Sequence, residues 1–193
     1  MTSEILTVGH SSHSPERFIA LLRGAGVTAV ADVRSAPYSR HAPQFNRDPL
    51  RDDLGRAGIA YVFLGRELGG RPAEREFYAD GVADYEKMAQ APAFAEGLER
   101  VIEGAQSHRI ALMCSERDPL TCHRCLLVGR ALKERGARVS HLLDSGECVS
   151  HSAIEDELLA RTGRTGDDLF APRDERLAAA YREHARKVAF AQP

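Results

Sequence analysis

Three kinds of reactive side chain occur within eleven residues near the middle of the chain. The apolar run at residues 110–113 ends at Cys114, a short polar loop follows, and Cys122, His123 and Arg124 open a segment with helical periodicity. A thiol can act as a nucleophile or a metal ligand, an imidazole can carry a proton, and a guanidinium can bind an anion. The sequence therefore predicts a functional site between a buried strand and the start of a helix.

Short apolar runs alternate with amphipathic stretches along residues 1–148. Such alternation is typical of an α/β domain in which helices connect parallel strands. Strands are predicted at residues 5–8, 28–33, 59–64, 110–114 and 138–143, and helices after Ser14 and at residues 50–57, 73–90, 94–105 and 122–135. We therefore predict a three-layer domain, with helices on both faces of a five-stranded, mainly parallel sheet.

The pattern changes after Asp144. Residues 150–162 and 173–189 are rich in charge and have helical periodicity, and residues 162–168 join them. No strand is predicted in this part of the chain. We predict that residues 149–193 form a C-terminal helical appendage that packs on the core or is partly mobile.

Polar side chains follow each of the five predicted strands. His10 follows the first strand, and Asp32 and Arg34 lie at the end of the second. Glu116 comes shortly after Cys114, which ends the fourth strand. Carboxyl ends of parallel strands lie at one edge of a sheet, where open α/β domains bind their ligands. The residues expected to meet in one cleft at this edge are His10, Asp32, Arg34, Ser39, Arg40, Cys114, Glu116, Cys122, His123 and Arg124. The same loops also place Ser11, Ser12, Ser35, Tyr38, His41, Arg66, Glu67, Gly69, Gly70, Ser115 and Asp144 at this edge.

Composition argues against several classes of protein. The 193 residues suffice for one ordinary domain, and 43% hydrophobic with 28% charged residues are values of folded globular chains. A formal net charge of −2 argues against a dedicated nucleic-acid partner. No run approaches the ~18 apolar residues that a membrane span needs, so no membrane partner is predicted. Arginine makes up 23 of the 26 basic residues, so any single arginine is weak evidence for a site.

The cysteines indicate free thiols rather than a disulfide framework. Three of the four cysteines lie within twelve residues, which does not resemble the spacing of disulfide-rich domains. The N-terminal residues MTSEILTVGHSS lack the charged and apolar regions of a signal peptide. A reducing cytoplasm is the expected location. No cofactor is predicted.

Four segments resemble successive blocks of the domain-of-unknown-function 488 family. They are residues 7–22 (TVGHSSHSPERFIALL), 31–46 (ADVRSAPYSRHAPQFN), 61–70 (YVFLGRELGG) and 111–127 (ALMCSERDPLTCHRCLL). The blocks occur in order and at compatible spacing, and the resemblance extends over residues 4–143. It implies a single α/β domain of bacteria and archaea without an established reaction.

The resemblance adds Asn46 and Tyr85 to the candidate site. Two departures from the family pattern are visible: Cys125 stands where the family usually has serine, and Leu120 and Thr121 replace an aromatic-plus-basic pair. A metal site with three cysteines is therefore not implied as a family property. The positions that match the family pattern are His10, Ser11, Asp32, Arg34, Ser39, Arg40, Phe45, Asn46, Gly69, Gly70, Tyr85, Cys114, Glu116, Cys122, His123 and Arg124.

The first interpretation is an enzyme that acts on a small anionic substrate, such as a nucleotide, a sugar phosphate or a sulfur compound. Rhodaneses and cysteine phosphatases have a similar layout, but Leu120 stands where the phosphatase signature has its arginine. The candidate roles are thiolate (Cys114 or Cys122), proton carrier (His123 or His10), orienting acid (Asp32 or Glu116) and substrate contact (Arg34, Ser39, Arg40, Asn46, Tyr85 and Arg124).

Two other interpretations stay open. Cys114, Cys122 and His123, with or without Cys125, are ligand types that suit zinc. Structural zinc sites, however, usually have two close cysteine pairs, and adjacent residues 122 and 123 would point to different sides of the predicted helix. The third interpretation is a nucleotide or nucleic-acid binding module. Residues 34–75 carry eight arginines against five acids, with aromatic residues between them.

Overall fold

A six-stranded sheet forms the centre of the protein. The computed structural model describes residues 4–166 and 171–192. A π-helical segment, Arg124–Gly129, directly precedes the α-helix at Arg130–Glu134. The elements in chain order are β1 (Glu4–Gly9), α1 (Pro15–Gly24), β2 (Ala29–Asp32), α2 (Arg47–Arg56), β3 (Ala60–Phe63), α3 (Gly65–Leu68), β4 (Tyr78–Ala79), β5 (Val82–Ala83), α4 (Tyr85–Met88), α5 (Pro92–Gly104), β6 (Ile110–Cys114), α6 (Arg130–Glu134), β7 (Arg138–Leu142), β8 (Cys148–Ser150), α7 (His151–Arg161) and α8 (Arg173–Val188).

Five strands of the sheet are parallel, and the sixth is an antiparallel edge strand. The order is β3-β2-β6-β1-β7-β8, with only the β7–β8 pair antiparallel. The predicted α/β class and mainly parallel sheet are confirmed, but the sheet has six strands rather than five. β8 has three residues, and Cys148 and Ser150 are exposed. Such a short edge strand has no apolar pattern that sequence analysis could detect.

Side chains alternate between the two faces of the sheet and build two apolar layers. On β6, Ile110, Leu112 and Cys114 belong to the larger apolar cluster, whereas Ala111 and Met113 belong to the smaller one. Helices α5, α6, α7 and α8 cover the larger cluster, and α1 and α2 cover the smaller one. The sheet therefore lies between two helical layers, as predicted.

The segment at residues 73–90 is not the helix that the sequence predicted. It contains the hairpin of β4 and β5, followed by the one-turn helix α4. Asp80 and Gly81 form the hairpin turn with φ angles of 51° and 77°. This left-handed backbone is incompatible with a helix, and an Asp-Gly pair is a frequent hairpin signal. The Asp80–Gly81 turn therefore determines the structure of this segment, although its apolar residues have an imperfect helical spacing.

Helices α7 and α8 agree with the two helices predicted after Asp144. Their side chains Ile154, Leu158 and Leu177 are buried in the larger apolar cluster. The connection predicted at residues 162–168 ends outside the described residues, and the division of the chain at residue 148 stays a prediction. Within residues 4–166 and 171–192, no helix combines the length and apolar character needed to cross a membrane.

The chain after α8 lies along the β4–β5 hairpin. The Ala83 N–H donates to the Phe190 carbonyl at 2.9 Å, and the Gln192 N–H donates to the Gly81 carbonyl at 2.8 Å. These bonds fix the tail, including the Phe190 side chain, against the small second sheet.

Candidate functional site

The loops after β1 and β6 are joined at the carboxyl edge of the sheet. The His10 N–H donates to the Cys114 carbonyl at 2.9 Å. Gly9 allows the backbone of the loop after β6 to lie close to the end of β1, since a Cβ atom at this position would lie 1.8 Å from the Glu116 carbonyl oxygen. Both loops therefore hold fixed positions next to the end of β2, which pairs with β6.

Asp32 and Arg34 form a buried ion pair at the end of β2. Asp32 is 0% exposed and Arg34 is 5% exposed. The Arg34 Nε and terminal N–H groups donate to Asp32 at 2.9 and 2.7 Å, and the Tyr61 hydroxyl donates to the same carboxylate at 2.8 Å. Burial lowers the pKa of Arg34, but the Asp32 carboxylate outweighs burial and raises it above its ordinary value. Arg34 is therefore a fixed positive charge.

His10 packs behind this ion pair. Its ring stacks on Phe45 with 4.3 Å between ring centres. Its Nδ1 lies 2.9 Å from the Ser11 carbonyl and donates to it, so Nε2 can accept from Arg34 at 3.4 Å. Burial, aided by the Arg34 charge, lowers the pKa of His10 to about 4. The imidazole is therefore neutral and supports Arg34.

Cys122 lies outside the helix that the sequence predicted to begin there. Its backbone is extended, with φ −139° and ψ 140°, whereas His123 at φ −60° and ψ −25° is the first helical residue. A short 3-10 turn at Pro119–Thr121 precedes Cys122 and delays the start of the helix. The Cys122 Sγ accepts from the Arg124 N–H at 3.4 Å, in the manner of a helix cap. Cys122 and His123 can consequently point toward one centre.

Two thiols and one imidazole meet at that centre. The His123 Nδ1 lies 3.8 Å from the Cys114 Sγ and 3.8 Å from the Cys122 Sγ. The His123 Nε2 donates to the Val33 carbonyl at 2.8 Å. A Glu116 carboxyl oxygen lies 3.0 Å from the Cys122 Sγ. We call Cys114, Cys122 and His123 the thiol–imidazole cluster.

The two thiols of this cluster differ in electrostatic environment. Burial raises the pKa of Cys122, but the hydrogen bond from Cys114 and the nearby Arg124 and His123 outweigh burial and hold that pKa well below its ordinary value. The hydrogen bond to Cys122, together with burial, holds the pKa of Cys114 well above its ordinary value. Burial and the charge of Cys122 raise the pKa of Glu116. Of the two thiols, Cys122 is therefore the more acidic.

His123 balances the negative charge of Cys122. Burial lowers the pKa of His123, but Cys122 and the Val33 carbonyl outweigh burial and raise it above its ordinary value. A protonated His123 imidazole and an ionised Cys122 thiol therefore favour each other.

Arg124 holds the loop after β6. It is 1% exposed, and its two terminal nitrogens donate to the carbonyls of Glu116 at 2.5 Å and Arg117 at 2.9 Å. Its Nε donates to the Thr7 hydroxyl at 3.4 Å. The sequence predicted a direct contact between Arg124 and an anion, but the guanidinium is directed into the protein. From this position the Arg124 charge lowers the pKa of Cys122.

The thiol–imidazole cluster opens into a cavity of about 410 Å³. The predicted site residues Arg34, Ser39, Tyr85, Cys114, Glu116, Cys122 and His123 line it. His10, Asp32 and Arg124 lie at the same edge of the sheet but behind the cavity wall, and Arg40 is exposed outside it. The side-chain Oδ1 of Asn46 accepts a hydrogen bond from the Ser39 N–H at 2.7 Å and so holds the Ser39 loop.

A family model described as "Domain of unknown function DUF488" matches residues 14–131. The match covers more than half of the chain, and it includes the carboxyl ends of β2 and β6 and the thiol–imidazole cluster. The chain belongs to the DUF488 family. No match is found among curated proteins. The resemblance described from the sequence is thereby confirmed.

Sequence analysis missed several residues that line the cavity of this DUF488 protein. Arg71 directly follows the Gly69–Gly70 pair, and its backbone N–H donates to the Ser35 hydroxyl at 2.9 Å. Phe190, in the tail beyond the family match, lies 4.9 Å from the Arg71 guanidinium, ring centre to carbon. Proximity to the glycine pair could have indicated Arg71, whereas no local sequence signal indicates Phe190. Ala36, Thr121 and Val188 also line the cavity and were not indicated by the sequence. Ser35, Tyr38, His41 and Ser115, which the sequence placed in the loops at this edge, line it as well.

Gly70 provides a test of how tightly the DUF488 site is packed. A Cβ atom on Gly70 would lie 2.7 Å from His123 Cγ, and the imidazole cannot retreat without losing its bond to Val33. We expect Gly70→Ala to lower the free energy of unfolding by about 1–3 kcal/mol, measured by urea denaturation. Gly24→Ala is the control, since nothing lies within 4 Å of its Cβ position. Equal stability of the two variants would contradict the described packing.

Proposed function

We propose that this DUF488 protein is an enzyme that acts on a small anionic substrate, a nucleotide, sugar phosphate or sulfur compound, bound in the 410 Å³ cavity. One observation carries the proposal: two thiols and an imidazole line the same cavity as the guanidiniums of Arg34 and Arg71. Reactive groups and anion-binding groups therefore line one cavity.

Arg34 and Arg71 are the proposed anion contacts. Asp32, the Phe45 carbonyl and His10 use four of the five N–H donors of Arg34 and fix its orientation. One N–H of Arg34 has no partner among the described residues, and the side chain lines the cavity. Arg71 is exposed at the opening and can form two parallel hydrogen bonds with a phosphate, sulfate or carboxylate.

Hydroxyl groups complete the proposed binding surface. Ser39 and Tyr85 line the cavity, and the Tyr85 hydroxyl has no protein partner in the described part of the chain. Burial raises the pKa of Tyr85, so the phenol keeps its proton and can donate to a substrate oxygen.

The thiol–imidazole cluster and Glu116 are the proposed reacting groups. Cys114, Cys122 and His123 supply the thiols and the imidazole, and Glu116 supplies a carboxyl group within reach of Cys122. His10, Asp32 and Arg124 support this set from behind the cavity wall. In this proposal they position the groups that touch the substrate.

The cytoplasm is the proposed location. The described cysteines Cys114, Cys122, Cys125 and Cys148 are free thiols. A reducing compartment keeps thiols in the form that the site requires.

Thermal unfolding in the presence of different anions tests the proposal. The panel is inorganic phosphate, sulfate, a nucleoside monophosphate, a hexose phosphate and thiosulfate. A compound at 100 times its Kd stabilises the native state by about 2.7 kcal/mol, which raises the Tm by several degrees. We expect such a rise for wild-type protein, its loss in Arg71→Ala, and its retention in Arg40→Ala, which removes an exposed arginine outside the cavity.

Turnover of the compound that binds best then separates an enzyme from a binding module. We expect Cys122→Ala to keep the rise in Tm and to lose turnover, followed as disappearance of the compound by chromatography. No stabilisation by any anion, or equal loss in Arg71→Ala and Arg40→Ala, would contradict binding in the cavity. Turnover unchanged in Cys122→Ala would contradict the role of the cluster.

A further inference from the structure

We infer that the thiol–imidazole cluster is a zinc site, with Cys114 Sγ, Cys122 Sγ and His123 Nδ1 as ligands and the fourth coordination position open to the cavity. The inference rests on the proposed function, since the ion would be the group that activates the bound anion or a water molecule there. The ligand geometry, the orientation of His123 and the access from the cavity each support it.

The two sulfur–nitrogen separations are close to those of a tetrahedral zinc site. Zinc–sulfur bonds of about 2.3 Å and zinc–nitrogen bonds of about 2.0 Å place tetrahedral S and N ligands about 3.6 Å apart. The His123 Nδ1 lies 3.8 Å from each of the two sulfur atoms. All three ligand atoms are within 4.8 Å of one another. The three side chains are therefore close enough together to hold one ion.

His123 has the orientation of a metal ligand. Its Nε2–H donates to the Val33 carbonyl at 2.8 Å, so in the neutral ring the lone pair is on Nδ1 and faces the two thiols. Zinc-bound histidines generally donate their second ring N–H to a carbonyl or carboxylate, which fixes the tautomer and the ring plane. This outer hydrogen bond exists before any metal binds.

The objection that adjacent residues 122 and 123 diverge does not hold in the structure. Cys122 is extended and His123 begins the helix, so the two side chains converge although they are neighbours in the chain. Cys114 and Cys122 are separated by a long loop, whereas structural zinc sites usually have cysteine pairs with two to four residues between them. Three protein ligands that all line a cavity are typical of catalytic zinc sites, in which the fourth position takes water or substrate.

The third buried cysteine belongs to a different group. The ligand atoms of Cys125, His141 and His151 lie within 4.8 Å of one another, and all three residues are buried. Both rings of that group already use both nitrogens in protein hydrogen bonds: Thr7 to His141 at 2.8 Å, His141 to His151 at 2.9 Å, and His151 to Tyr181 at 2.9 Å. A metal would have to break the bond between the two imidazoles. This group therefore serves as the matched control.

Cobalt titration tests the inference. The full-length protein is first treated with a chelator and a reducing agent, and Co²⁺ is then added while thiolate-to-cobalt absorption is recorded. We expect one equivalent to bind to wild-type protein and to Cys125→Ser, with loss of the absorption in Cys114→Ser and Cys122→Ser. Circular dichroism checks that each variant is folded. Zinc content of the protein as purified is measured in parallel.

A second measurement needs no variant. Zn²⁺ added to wild-type protein is expected to protect Cys114 and Cys122 from iodoacetamide at least tenfold, mapped by peptide mass spectrometry, and to leave the exposed Cys148 reactive. Absence of bound cobalt in wild-type protein, unprotected Cys114 and Cys122, or cobalt binding lost only in Cys125→Ser would each overturn the zinc site. Anion stabilisation through Arg71 that persists in metal-free protein would then leave the proposed function standing. If that stabilisation is absent while cobalt binds, the proposed function fails and the zinc site stands.

Discussion

Asp32→Ala is expected to lower the free energy of unfolding by about 3–5 kcal/mol, the largest effect of any single substitution that we predict. The substitution leaves the Arg34 guanidinium, which is 5% exposed, without its charged partner. It also removes the acceptor of the Tyr61 hydroxyl. Urea denaturation at pH 7 measures the change. The loss exceeds that of most core substitutions because a buried charge without a partner is more unfavourable than a small cavity.

Asp156→Ala is the matched control for Asp32→Ala. The Asp156 carboxylate also pairs with an arginine, at 2.6 Å from Arg173, but its side chain is 68% exposed. Exposed pairs of this kind contribute about 0–1 kcal/mol because solvent screens them. If the two variants lose the same stability, the Asp32–Arg34 pair is not buried as described.

The parallel strands could be predicted because buried strands are continuous apolar runs. The predicted strand at residues 110–114 coincides with β6, and the predicted strand at residues 138–143 differs from β7 by one residue. The β4–β5 hairpin could not be assigned in the same way. Its strands have two residues each and are held partly by the C-terminal tail, so the stabilising contacts are distant in sequence.

The sequence predicted which edge of the sheet holds the site, but not on which face of the sheet each side chain lies. Strand ends place Asp32, Arg34 and Cys114 together because β2 and β6 are parallel neighbours, with Asp32 opposite Met113. That register puts Asp32 on the face of the smaller apolar cluster and Cys114 on the face of the larger one. The register depends on long-range pairing, so sequence alone cannot show that Asp32 lies behind the cavity wall.

The direction of the Arg124 side chain also could not be predicted from the sequence. Its position beside two reactive residues is visible in the sequence, and this favoured an anion contact. The direction of the guanidinium depends on Thr7 and on the backbone carbonyls of the loop after β6, which the fold brings together. A helix that began at Cys122 would have rotated Arg124 differently. The π-helical turns that follow His123 are therefore part of what separates Arg124 from the cavity.

Stability is expected to fall steeply as the pH decreases from 6.5 to 5. Burial lowers the pKa of His10 and of His151 to about 4, and holds the pKa of His141 well below its ordinary value. Below pH 6.5 the unfolded chain binds protons that the folded chain excludes, so stability is lost as the pH falls toward the folded pKa. Each such histidine contributes a slope that rises toward about 1.4 kcal/mol per pH unit as the unfolded imidazole becomes protonated. Urea denaturation at pH 7, 6.5, 6, 5.5 and 5 measures the total slope.

Substitutions of single histidines test the origin of this slope. His10→Gln is expected to reduce it by about 1.4 kcal/mol per pH unit, because one group that excludes a proton is removed. His108→Gln, at an exposed histidine, is the control and is expected to leave the slope unchanged. His123 has a raised pKa, so its stabilising contribution is nearly complete below pH 6.5 and adds little slope in this range. A pH-independent free energy of unfolding between pH 6.5 and 5, or the same slope in His10→Gln as in wild-type protein, would show that the buried imidazoles are not kept neutral.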